Sequence, residues 1–142
     1  MASKIYTFDE ATHTHRIGGV VVPGITTVLK PLQDFSTIPP HILEAKTISK
    51  IVAGLETAST SGNVVIDVQK SGDHGATWAT ILSTKITIEA NEYSSLDAAT
   101  QPVLSNASLS ANDRVKIIVD SQGTGAAYLT VTLLLTKSVA VA

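Results

Sequence analysis

Cysteine is absent from this chain of 142 residues, so disulfides, thiol nucleophiles and thiolate zinc sites are all excluded. A chain without thiols is at ease in either redox environment, which leaves its compartment open. Aromatic residues make up only 4% of the sequence, so the core has to be built from Val, Ile, Leu and Ala rather than from rings. Charge is sparse as well: ten Lys and Arg against twelve Asp and Glu give a net charge of −2. No basic cluster exceeds two residues, and nothing is arranged to neutralise phosphates, so nucleic acid is not an expected partner. No apolar run reaches the roughly 18 residues of a membrane helix. The longest apolar tendency, Ala126 to Leu135, is broken by Thr130 and Thr132 and reads as a buried strand, so no membrane partner is expected either. The opening MASKIYTFDE has neither a basic n-region nor an apolar h-region, and no secretory signal is expected from it.

What is present is period-two alternation. The stretch Gly62 to Ala90 sets Val64, Ile66 and Val68 on one face against Val65, Asp67 and Gln69 on the other, and Ile86 and Ile88 repeat the pattern. Its connection, Ser71-Gly72-Asp73-His74-Gly75, concentrates turn-forming residues, and Trp78 follows as the only tryptophan, expected to be largely buried and to close one end of the core. The second arm, Trp78 to Ala90, is long enough to bend near Ser83-Thr84. A hairpin alone is marginal in water, so further strands must join it. They are expected at Thr47 to Glu56, Asp113 to Asp120 and Tyr128 to Lys137, with a short edge strand at Glu92 to Leu96 and a loop from Asp97 to Asn112 in which Val103 and Leu104 touch the core.

Residues 1–46 differ in character and hold four of the five prolines and three of the four histidines. Lys4 to Phe8 and Thr14 to Val22 are expected to form a short hairpin across Asp9-Glu10-Ala11-Thr12. Ile25 to Leu29 reads as a short extended or helical segment, and Pro40 to Lys46 as a helical turn or two. The sequence therefore divides into an amino-terminal arm or small anchoring subdomain (1–46), a β domain (47–137) and a small apolar tail (138–142). The expected fold is all-β: an antiparallel sandwich or small barrel of five to seven strands, preceded by an extended arm with a short hairpin.

Constellations that carry chemistry are thin. His13 and His15, two apart on a strand, have a spacing compatible with metal binding if other ligands arrive, although two solvated histidines is the plainer reading. Asp9-Glu10 reads as a turn, and Asp67 and Glu89 fall on outward faces where carboxylates usually solvate. No Gly-x-Ser-x-Gly elbow occurs, and Gly123-Thr124-Gly125 lacks the lysine of a phosphate loop and reads as a hairpin turn. Asp113 and Asp120 flank one strand at a spacing that suits turn or capping roles better than calcium. No cofactor is expected, and no enzymatic activity.

Two resemblances cover different parts of the chain. Residues 6–45 resemble the opening of phage-encoded nucleases of the PD-(D/E)XK superfamily, which hold a divalent metal with an Asp followed by a Glu-x-Lys pair. Here the nearest approach is Asp67-Val68-Gln69-Lys70, with Gln where a carboxylate is required, so nuclease activity is not implied. Residues 47–136 are similar to a small all-β module of tailed-phage virion proteins, of head-fibre, decoration or tail-associated kinds. The stretches that carry this likeness are Gly62 to Val68, Thr80 to Ile88, Leu109 to Val115 and Gly123 to Ala126. It implies a role on the surface of a virion.

The expectation is thus a structural bacteriophage virion protein, a capsid decoration or head-fibre protein anchored by its amino-terminal arm. The alternative is a receptor- or carbohydrate-binding module of a tail fibre. The expected partner is the major capsid protein or another virion protein, met by Val22, Pro23, Ile25, Leu29, Phe35 and Ile38, with assembly in the host cytoplasm. Val65, Ile118 and Leu134 are apolar on otherwise polar strand faces, and a dimer or trimer is expected if they form one patch.

Overall fold

The computed structural model describes the backbone of residues 4–24, 26–29, 45–111 and 113–141, with side chains at 14, 16–24, 45–111 and 113–136. Among these residues there is no helix, and every strand pair is antiparallel. Eleven strands run in order: β1 (Lys4–Val20), β2 (Thr26–Leu29), β3 (Lys46–Thr57), β4 (Val64–Ser71), β5 (Ala79–Thr80), β6 (Leu82–Thr84), β7 (Ile86–Ile88), β8 (Val103–Leu104), β9 (Ser108–Leu109), β10 (Arg114–Gln122) and β11 (Ala127–Val141). One sheet, here sheet A, has the order β1-β11-β3-β9; the other, sheet B, has the order β2-β10-β4-β5 with β7 also on β4. A small third sheet pairs β6 with β8.

The alternation read from the sequence explains why the two large sheets stack. Ile48, Ile51, Ala53 and Leu55 of β3 and Leu129, Val131, Leu133 and Leu135 of β11 supply the buried face of sheet A. Val64, Ile66 and Val68 of β4, Val115, Ile117 and Val119 of β10, and Ile86 and Ile88 of β7 supply that of sheet B. Each of these Val, Ile and Leu side chains contributes about 1.5–3 kcal/mol when fully buried. No aromatic ring belongs to this core among the described residues, as the composition requires.

The hairpin at the centre of sheet B is interrupted where a bend was expected. Gln69 pairs with Thr80, and Ile66 pairs with Ile86. The second arm therefore carries extra length over the same span of β4, and β6, three residues long, takes it up by turning aside to pair with β8. Ile81, whose N–H still bonds the Val68 carbonyl, and Leu82 enter the core at this break. Val103 and Leu104 form β8, with Leu104 packed against the core. Glu92 to Leu96 is not a strand: it is a turn whose Ser94 makes a single bridge to Gly54.

The amino-terminal stretch departs most from expectation. Asp9 to Thr12 do not turn the chain. β1 is one strand of 17 residues, paired with β11 from Lys4–Val141 to Val20–Ala127, and Asp9-Glu10 is a bulge within it. A local reading could not see this, because β1's partner lies more than a hundred residues away. β1 joins sheet A and β2 joins sheet B, with Ile17 and Val21 in the shared core. The short segment at Ile25 to Leu29 is extended rather than helical over Thr26–Leu29, and Ser138 to Val141 continue β11. The helical turn expected at Pro40 to Lys46 lies outside the described residues except for its end, where Lys46 opens β3.

One end of the sandwich is tied by a hydroxyl. Ser59 is fully buried, its Oγ lies 2.8 Å from the carbonyls of Ser61 and Gly62, and it accepts the N–H of Thr124 at 2.9 Å. This knot fixes the turn between β3 and β4 against the turn between β10 and β11. It needs Gly123 at φ +62°, where a Cβ would overlap Ser59 Oγ and the Gly62 carbonyl. Gly123→Ala should therefore lower stability by at least about 1–3 kcal/mol in urea unfolding; an unchanged midpoint would show that the knot does not constrain the turns.

Candidate functional site

Three regions gather the side chains that the sequence singles out. The first is the open edge of sheet A. β1 has β11 on one side and no strand on the other among the described residues. The register sets His13 opposite Leu133 and His15 opposite Val131. Both histidines thus lie within β1 and not on a separate short hairpin. No group of three His, Asp or Glu side chains suited to a metal occurs among the described residues, whose side chains do not include these two. Beyond Thr136, the last β11 residue to pair with β3, β11 and β1 continue as a two-stranded ribbon, Lys137–Val141 against Lys4–Phe8.

Near the other end of β1, Arg16 pairs with Glu56 of β3 and lies over the Tyr128 ring, 5.4 Å from its centroid. Tyr128 has φ +57°, a left-handed conformation that is an outlier for a bulky residue. The pairings of Ala127 and Leu129 with β1 and β3 hold it there, opposite a bulge at Gly18-Gly19. Of the expected partner-binding residues, Val22 and Pro23 are exposed just past this bulge. Leu29 pairs with Val115 through its backbone. Ile25, Phe35 and Ile38 lie outside the described residues.

The second region is the outer face of sheet B. Asp67 points away from the core, as expected, but it does not simply solvate: it is 3% exposed. Its carboxylate accepts hydrogen bonds from Thr80 Oγ1 and from Gln69 Nε2. Lys85 reaches across to Asp120, and this hydrogen bond, with the nearby charges of Asp120 and Asp67, raises the lysine's pKa. Val65 and Ile118 belong to this same face, since Ile118 pairs with Asp67, whereas Leu134 belongs to sheet A. The three apolar residues on which an oligomer was made conditional therefore lie on two different sheets.

The loop that follows β4 locks itself. Asp73 accepts from the Ser71 hydroxyl and from both the N–H and the hydroxyl of Thr77. The Thr77 and Ser71 hydroxyls hold its carboxyl well below the usual carboxylate range. A depressed carboxyl stabilises the fold above its ordinary pKa and loses that contribution only as pH falls through the lowered value, so this lock persists into strong acid. Gly75 sits at φ +96°, a left-handed conformation that L side chains rarely adopt, and beside it the Arg114 guanidinium donates to the His74 carbonyl. Trp78 corrects the expectation: it is half-buried and outside the core. Its indole N–H donates to the Gly75 carbonyl at 3.1 Å, and Lys116 and Arg114 stack on its ring at 4.4 and 5.8 Å. Asp113 caps a turn by accepting the Ser110 N–H, and Glu89 accepts the Ala99 N–H.

The third region is a cleft of about 200 Å³ at the outer edge of β3, where Ile51 faces Leu96, Gln101 and Leu104. Tyr93, Leu96 and Val103 are exposed apolar side chains of the segment that borders it. Sequence reading missed the Asp67 contacts, the Ser59 knot and the Arg16–Glu56–Tyr128 cluster. Only the Asp73 loop left a local signal, a serine, an aspartate and a threonine at turn spacing.

No family model matches the chain, and no curated protein matches it. Among solved structures, a chain of "Structure of infectious bursal disease virus Gt strain" is similar at 12% identity and a TM-score of 0.32, over 98% of this chain and 33% of that one. This chain thus spans about a third of that chain's length, and at that TM-score the likeness carries no argument about function.

Truncating Asp67 would leave Thr80 and Gln69 without their acceptor under cover of the sheet. Asp67→Ala should cost about 1–3 kcal/mol in chemical denaturation, and Asp67→Asn less. Equal stability of the alanine variant and the parent would mean that the contacts are incidental.

Proposed function

We propose that this chain is a structural component of a bacteriophage virion, a capsid decoration or head-fibre protein whose β sandwich stands on the particle surface. The observation that carries the reading is the ribbon formed by Lys4–Phe8 and Lys137–Val141, which runs past the last residue of β11 to pair with β3. Two strands without a third are marginal in water. Among the described residues no third strand joins this ribbon, and packing on a partner would stabilise it, which is what an anchor does. On this reading the anchor comprises the start of β1 together with the end of β11, and not the amino-terminal residues alone. The likeness of residues 47–136 to small β modules of tailed-phage virion proteins supports the same reading, and makes the major capsid protein or a neighbouring virion protein the partner.

The alternative, a carbohydrate-binding module of a tail fibre, draws on the exposed ring of Tyr93, since Arg16 already lies over that of Tyr128. Trp78 adds little to it, because two cations already occupy its ring.

Intact particles purified from infected cells should contain this chain in a fixed ratio to the major capsid protein. A version lacking residues 1–8 and 137–142 should keep its far-ultraviolet circular dichroism and fail to sediment with particles. Particles free of the chain would overturn the virion reading; a shortened chain that still binds them would overturn the anchor.

A further inference from the structure

The edge of β3 that faces away from β11 is paired at both of its ends and open between them. At one end, Lys46 and Thr47 pair with β9, and the Ile48 N–H donates to the Ala107 carbonyl. At the other, the Ala53 carbonyl accepts the Ser95 N–H, the Ala53 N–H donates to Ser95 Oγ, and the Leu55 N–H donates to the Tyr93 carbonyl. Backbone groups point to alternate sides along a strand. Val52 and Gly54 therefore bond β11, at Thr132 and Thr130, while Ile51 faces outward like Ala53 and Leu55. No strand lies opposite Ile51 on that side among the described residues. The chain from Leu96 to Leu104 diverges from β3 there and leaves the cleft of about 200 Å³, all of whose lining residues are described. Its far wall is fixed, because the Gln101 side-chain amide donates to the carbonyls of Ser95, Leu96 and Ala98. One rung of an antiparallel ladder is thus missing between two that are made.

We propose that this gap receives an extended segment of a partner protein, one residue of which pairs antiparallel with Ile51. In such a pair a single residue exchanges both N–H···O bonds with the residue opposite, so one extended residue completes the rung. β9 and the Gly54–Ser94 bridge are both antiparallel to β3, and the incoming residue continues the line they set. The register then fixes the chemistry of the segment. Residues directly opposite share a face of the sheet. The residue against Ile51 accordingly turns its side chain to the face where Leu104 packs on the core, and it is apolar. The residue after it meets Lys50, which is exposed and has no carboxylate partner among the described residues, and it is acidic. The residue before it meets Val52 and suits a β-branched side chain. The occupant is thus an apolar residue followed by Asp or Glu in an extended chain. The cleft is smaller than the roughly 300–1,000 Å³ of small-molecule pockets, and its size matches a side chain instead. Tyr93, Leu96 and Val103, all exposed, form the apolar rim that the rest of the partner covers. In strand addition of this kind main-chain bonds give affinity, and alternate side chains give specificity.

Titration of the full chain with the blocked peptide acetyl-Ser-Val-Leu-Glu-Ser-amide, followed by amide NMR shifts, should perturb Ile51, Leu96, Gln101 and Leu104. The dissociation constant should be on the order of 1 mM, as befits one rung. The peptide acetyl-Ser-Glu-Leu-Val-Ser-amide has the same composition but sets Glu against Val52, and should bind about fivefold more weakly. Lys50→Glu should weaken the first peptide about fivefold and favour a version with Lys in place of Glu. Leu96→Asp changes an exposed side chain, so it should preserve the circular dichroism and weaken both peptides; it serves as the test if the Lys50 variant does not fold. An absence of shifts up to about 10 mM peptide, shifts confined to residues away from the cleft, equal binding of the two peptides, or binding indifferent to the folded variants would each overturn the proposal. Self-association of the chain that Leu96→Asp abolishes would assign the gap to a second copy and overturn it as well.

Discussion

The strand β11 is bonded on both flanks, to β1 and to β3, and sheet A depends on that double pairing. Its alternation supplies four buried side chains, Leu129, Val131, Leu133 and Leu135, while Thr130 and Thr132 take the outer face. Because each of its residues can bond to one side only, the pairing with β3 dictates which β11 residues are left for β1. That in turn dictates which groups of β1 point outward. The outward groups of β1 are thus set by β3, a strand it does not pair with. The strained Tyr128 belongs to the same arrangement, held at φ +57° where β11 passes between two partners and one of them bulges.

A chain with no cysteine and few rings has to fix its turns by other means, and here the means are hydroxyls and carboxylates. Ser59 ties two turns at one end of the sandwich, and Asp73 with Ser71 and Thr77 closes the loop after β4. Asp67, with Thr80 and Gln69, fastens the outer face of sheet B beside the break at β6. Trp78 serves as a platform for Lys116 and Arg114 instead of filling the core. Aliphatic packing supplies the bulk of the stability, and these small polar locks specify which turns and registers the packed sheets adopt.

The strands rich in alternation, β3, β4, β10 and β11, were legible because their period and their burial are the same fact. The bend in the hairpin's second arm was legible as surplus length between Trp78 and Ala90. β1 was not, because Asp9 to Thr12 reads locally as a turn and becomes part of a strand only when β11 lies beside it. Asp67 was legible as outward-facing but not as buried, since its cover comes from Thr80 and Gln69 at positions that register alone determines. The candidate partner residues fared unevenly: Val22 and Pro23 stand exposed, yet Val21 between β1 and Pro23 belongs to the core, a distinction that depends on the stacking of the two sheets. The segment holding Phe35 and Ile38 lies outside the described residues.

In this account the molecule is an aliphatic sandwich whose sheet A depends on β11 being paired on both flanks. The most direct test is residue-resolved amide hydrogen exchange along β1 in dilute solution. The amides of His13, His15 and Ile17 should be protected by β11, and those of Thr12, Thr14 and Arg16 should exchange faster. Uniform protection of the strand in dilute solution would show that the edge is already covered, and uniform fast exchange would show that β1 does not pair with β11; either result would contradict the account.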